Sequence, residues 1–128
     1  MTEAGLEPKI YRAHGTIELN EDEFRTMLKD GHPDVAIVVR DSMAVSFMNI
    51  VNEMGLNIPN DVQVIGFQDT RYAVLARPRL TSIQIPIYDI GDQAMDLLTE
   101  LMESTEEVEE EKLNKIIDYK IIWRESTK

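Results

Sequence analysis

The chain has no cysteine. That absence removes disulfides, thiolate metal sites and a cysteine nucleophile together, and a reducing compartment, the cytoplasm, is the expected setting. Histidine is scarce, with only His14 and His32 present. They do not stand at helical ligand spacing, so no metal site is expected. His32 lies in Gly-His-Pro, a loop stop at the surface, whereas His14 lies at a strand end, placed to line a crevice. Basic charge is also short: 13 Lys and Arg face 24 Asp and Glu, a net charge of −11. Duplex binding rests on neutralising phosphates with Lys and Arg, so this chain is not expected to grip nucleic acid by itself. A basic membrane-binding face is disfavoured for the same reason. No apolar run approaches the ~20 residues of a membrane span. The first residues, Met1-Thr-Glu-Ala-Gly-Leu-Glu-Pro, have neither the basic start nor the apolar stretch of a signal peptide. No P-loop or GxGxxG occurs. No nucleophile–base or metal set emerges, so no catalytic residue, no cofactor and no enzymatic role is expected.

What is present fits one modest soluble domain: 128 residues, 43% hydrophobic and 29% charged. Residues 9–15 (KIYRAHG) are a short strand candidate. A helix is predicted from Asn20, with Asn20 as cap and Glu23 reaching back, and Phe24, Met27 and Leu28 on its apolar face. Residues 35–39 (VAIVV) are uniformly apolar, as in a parallel strand covered on both faces. Arg40-Asp41-Ser42 follows at once. Met43, Phe47, Val51 and Met54 then recur at helical spacing up to a stop at Gly55. Residues 62–67 (VQVIGF) and 81–85 (TSIQI) are strands, separated by a possible helical turn over 70–75 and the basic cluster Arg71, Arg77 and Arg79. Pro86 opens a long amphipathic helix to about Ser104, carrying Ile90, Ala94, Leu97, Leu98 and Leu101 on one face. Residues 105–111 are strongly acidic and read as a solvated loop. Residues 116–123 are a final strand. Strand and helix patterns alternate, so the expected class is α/β with a mostly parallel sheet.

Two polar clusters stand at strand C-ends, Arg40-Asp41-Ser42 and Gln68-Asp69-Thr70-Arg71, and both can face one crevice. The plain alternative is that Asp41 caps a helix and Asp69 shapes a turn. Arg40 is harder to dismiss. An arginine just past an apolar strand needs a carboxylate or an anionic ligand group.

Residues 35–44 (VAIVVRDSMA), 55–67 (GLNIPNDVQVIGF) and 77–91 (RPRLTSIQIPIYDIG), with the closing Arg-Glu-Ser-Thr-Lys, resemble the core of LacI/GalR-family transcription regulators, closest to the catabolite-control branch. The resemblance covers about residues 4–128. It implies a periplasmic-binding-protein-like, three-layer lobe with a mostly parallel sheet, incomplete here because the family's opening helix and central strand have no counterpart. The 128 residues form a single partial sensor domain. Helix 87–104 then belongs mainly with an absent N-terminal lobe, and residues 9–15 lack their usual neighbour strand. A sugar or sugar phosphate is the implied effector, bound near His14, Ile17, Arg40, Asp41, Gln68 and Asp69. A homodimer is implied through Val45, Phe47, Met48, Tyr72, Leu75, Arg77 and Arg79. Operator DNA is implied only through an absent helix-turn-helix.

Arg40 replaces the family's usual Asn or Thr, and Gln68 replaces its usual Asp, which points to an anionic effector or to altered binding. In the catabolite-control branch a phosphorylated carrier protein docks on the helix opened by Tyr88-Asp89. The basic residues expected further along that helix are here Asp96 and Glu100, which repel a phosphoserine, so a sugar-specific regulator is expected. The alternatives are a transport-type sugar-binding protein, or a truncated chain that only dimerises.

Overall fold

The computed structural model describes residues 5, 8–12, 16–104 and 114–128, with the side chain of Ile17 left out. Eight elements follow in order: α1 (Ile17–Lys29), β1 (Val35–Ile37), α2 (Asp41–Glu53), β2 (Gln63–Phe67), α3 (Arg71–Leu75), β3 (Thr81–Gln84), α4 (Ile87–Glu103) and β4 (Lys120–Ile122). The sheet has the order β1-β2-β3-β4, with β1, β2 and β3 parallel and β4 antiparallel on the far edge. The expected α/β class with a mostly parallel sheet is therefore what the chain forms.

One face of the sheet is built like a core. Ala36 is paired with Val64, and their face receives α2, which α1 and α3 flank. Phe47 and Phe24 meet edge to face with ring centres 5.1 Å apart, a favoured aromatic geometry. Leu28, Met48, Ile50, Val51, Val62, Val64 and Leu80, with the small Ala44, Ala73 and Ala76, complete the buried cluster. The opposite face carries Val35, Ile37, Ile65, Ile83 and Ile121 by the same register. Val35 and Ile37 stay about half exposed there. Of the three layers expected, the described residues supply two: α4 has no buried residue and does not close the open face.

Several boundaries differ from expectation, β1 among them, which ends at Ile37 rather than Val39. Helix α1 begins at Ile17, because Thr16 takes the cap position and its hydroxyl accepts the Leu19 N–H at 3.4 Å. Asn20 is instead inside the helix and buried, donating its amide to the Thr16 carbonyl. Residues 9–12 join no strand, and 13–15, with His14, lie outside the described residues, as does the acidic run 105–111. The last strand is shorter than the apolar run 116–123. Its partner β3 stops at Gln84, two residues before Pro86, whose ring nitrogen cannot continue a ladder.

Candidate functional site

Because β1, β2 and β3 run parallel, their C-terminal ends share one edge of the sheet. In open α/β sheets ligands collect at that edge. The loop after β1 brings Arg40 and Asp41, the loop after β2 brings Gln68, Asp69 and Thr70, and β3 leads into Ile85 and Pro86.

Asp41 lies at the base of this edge. It opens α2, where a negative charge favours the helix dipole. Its side chain is fully buried. Oδ1 accepts the Ser82 hydroxyl at 2.6 Å, and Oδ2 accepts both the Thr70 N–H at 2.5 Å and the Thr70 hydroxyl at 2.9 Å. Ser82 Oγ in turn accepts the Asp69 N–H at 3.1 Å. A buried carboxylate is costly unless its oxygens are satisfied, and these bonds satisfy them while tying the start of α2 to the loop after β2 and to strand β3. Gly66 leaves the room for it. A Cβ at that position would collide with Asp41 Oδ1 and stand 2.7 Å from Leu80 Cδ2.

Asp69 is the second anchored acid. Arg124 Nη2 meets its Oδ1 at 2.6 Å and Gln84 Nε2 donates to its Oδ2 at 3.1 Å. Both members of the Asp69–Arg124 pair are nearly buried, with side chains 10% and 13% exposed. Arg124 Nη1 also donates to the Leu80 carbonyl at 2.7 Å. Gln68 and Asp69 have φ of 104° and 52°, and Arg40 has φ of 79°. Non-glycine residues rarely hold such conformations, and they persist where surroundings over-determine them. A cleft of about 360 Å³ opens beside this turn, lined by Gln68, Asp69 and residues 84–89.

Two side chains at this edge have no partner among the described residues. Gln68 is exposed, and only its backbone N–H is engaged, to the Ile83 carbonyl at 2.8 Å. The Arg40 guanidinium is exposed and makes no hydrogen bond or ion pair among the described residues.

The structure therefore divides the expected effector residues. Gln68 and Asp69 line the cleft, and Arg40 stands on the neighbouring loop. Asp41 is corrected: buried and fully bonded inward, it holds the edge together and presents nothing to a ligand. His14 and the side chain of Ile17 lie outside the described residues. Among the expected dimer residues, Phe47 and Met48 are corrected as well, because both are core side chains with 0% and 2% exposure. Val45 is half-buried against the same core. Tyr72 and Leu75 are exposed on α3. Arg77 curls over the end of α3, donating to the carbonyls of Val74, Leu75 and Ala76. Arg79 pairs with Glu125 at 2.8 Å, and the Arg79 backbone N–H on that carboxylate holds Glu125 below the usual glutamate range.

Sequence reasoning missed Ser82, Gln84, Arg124 and Ser126. Ser126 is buried between two strands, its hydroxyl donating to the Val64 carbonyl at 2.6 Å and accepting the Thr81 N–H at 2.8 Å. Arg124 had a usable signal: it follows the apolar run Ile121-Ile122-Trp123, just as Arg40 follows an apolar strand.

The model of the periplasmic binding protein-like domain family matches residues 1–127. Catabolite control protein A of Priestia megaterium is 36% identical over 132 residues, a match covering 100% of this chain and 39% of that protein. The chain belongs to the periplasmic binding protein-like domain family. Among solved structures, the transcription regulator CcpA of Lactococcus lactis aligns with a TM-score of 0.81 at 30% identity, covering 99% of this chain and 46% of that one. A LacI family transcriptional regulator of Bifidobacterium animalis subsp. lactis aligns at 0.82 with 27% identity, covering 98% and 45%. The chain thus spans less than half the length of these relatives.

Proposed function

We propose that this LacI-type chain is the effector-sensing and dimerising part of a transcription regulator, with a sugar or sugar phosphate as the effector. One observation carries the reading. Gln68, after β2, lines a cleft of about 360 Å³, Arg40 follows the adjacent parallel strand β1, and neither side chain has a partner among the described residues. The guanidinium favours an anionic group, because charged hydrogen bonds to phosphate are strong. The amide of Gln68 suits a hydroxyl, since it can donate and accept. The effector is closed in by a second lobe, onto which α4 docks through Ile90, Leu98 and Leu101. Operator DNA is contacted by a separate headpiece, in keeping with the net charge of −11 on this chain. The role is regulatory rather than enzymatic, and cytoplasmic.

Calorimetry of the full-length protein with neutral sugars and hexose phosphates tests this. Arg40→Asn should weaken a hexose phosphate by roughly tenfold or more and leave neutral sugars unchanged. Equal affinity of the variant and the parent for the phosphate would overturn the role of Arg40. A serine-phosphorylated carrier protein should not bind tightly, because Asp96 and Glu100 on α4 repel its phosphate. Micromolar binding in a pull-down or by surface plasmon resonance would contradict that part.

A further inference from the structure

We propose that Arg124 is a positioning residue of the effector edge. Through Asp69 it holds the Gln68–Asp69 turn in its left-handed conformation and so aims the Gln68 side chain. The inference rests on the effector reading for its functional meaning, and on geometry for the rest. Two consecutive non-glycine residues with positive φ are a strained turn that must be held from outside. The Gln68 side chain supplies no hold, since it has no partner among the described residues. The hold comes instead from Asp69, whose carboxylate is gripped by Arg124 on one oxygen and Gln84 on the other, and whose N–H rests on Ser82. Arg124 is itself fixed at two further points, its N–H on Thr81 Oγ1 at 2.8 Å and its Nη1 on the Leu80 carbonyl. A nearly buried, planar guanidinium spanning a carbonyl and a carboxylate cannot be replaced by a flexible point charge without loss. The next residue, Glu125, grips Arg79. The tail therefore holds both ends of residues 69–79, the segment running from the effector edge to α3 and beyond.

Amide hydrogen exchange of this 128-residue chain, compared for the parent, Arg124→Gln, Asp69→Asn and Arg124→Lys, tests the positioning. Arg124→Gln and Asp69→Asn should each speed exchange at Gln68 and Thr70 by roughly tenfold or more, with Phe47 and Val51 in α2 unchanged. Arg124→Lys should recover only part of the protection. If the turn and α2 change together, or the turn does not change at all in either variant, the proposal is wrong. Asp69→Asn serves where Arg124→Gln fails to fold, because Arg124 keeps its bond to Leu80. In the full-length protein, glucose 6-phosphate and glucose are the probes. Arg124→Gln should weaken whichever binds the parent by roughly tenfold. An unchanged affinity overturns the functional claim. If the parent binds neither, the effector reading fails, and the exchange result alone decides whether Arg124 positions the turn.

Discussion

Gly66 and Asp41 compete for one small volume under the sheet edge, and only the carboxylate can have it. Gly66→Ala puts a methyl group against both Asp41 and Leu80. The expected cost is about 1–3 kcal/mol, as for overpacking of a tight core, and a lower urea midpoint with an unchanged slope would register it. Glu125 gives a prediction in pH. Its folded pKa is depressed, chiefly by the Arg79 backbone N–H, so its contribution is fully present above the ordinary glutamate value of 4.5 and is lost as pH falls through the lower folded value. Urea titrations should therefore find Glu125→Gln less stable than the parent at neutral pH, with the gap closing in acid. A gap independent of pH would reject the ion pair as its source. Single residues were the hardest scale to read in advance. An arginine after an apolar strand signals a need for a partner, yet Arg40 has none among the described residues and Arg124 has two. The difference lies in what the fold brings near, and the residues that meet Arg124, Asp69 and Leu80, are over 40 positions away in sequence.

Elements were legible where a period runs long enough. The α2 pattern of Met43, Phe47, Val51 and Met54 became a helix on the core, and the run from Pro86 became α4. Which face a helix buries was not legible, since α4 is amphipathic but has no buried residue. Leu98→Gln in this chain should accordingly change stability by no more than about 0.5 kcal/mol, the usual range for an exposed site. A thermal melt of the variant decides it, and a loss several times larger would mean that α4 is packed in solution. The start of α1 slipped because two residues of capping type, Thr16 and Asn20, lie one turn apart. The one that satisfies free N–H groups earlier sets the boundary.

At the scale of the molecule, one sheet face is covered and the other is not, although β1 reads as a strand buried on both sides. Alternation of strands and helices was enough to give the class, but a pattern of apolar residues does not say which polypeptide covers them. The family resemblance placed Phe47 and Met48 at a subunit contact, whereas both side chains are buried in the core of this chain. The two roles separate cleanly by experiment. Phe47→Ala should cost about 3–5 kcal/mol of folding stability, as a large core truncation does. Leu75→Asp on exposed α3 should leave folding nearly intact and shift the full-length protein from dimer toward monomer in sedimentation velocity. A dimer unaffected by Leu75→Asp would remove α3 from the interface.

The tail has a consequence in time as well as in space. Ser126 bonds the backbone of Val64 across 62 residues and that of Thr81 across 45, and the Lys128 N–H reaches Gln63 across 65. Contacts this distant close long loops, whose entropy opposes them until nearer pairings exist. They are therefore expected to form late in folding and to break early in unfolding. Ser126→Ala should accelerate unfolding while leaving the refolding rate almost untouched, the signature of an interaction absent from the transition state. The tail is in that sense a latch on lifetime: it governs how long the native state lasts once formed, not how quickly it is reached.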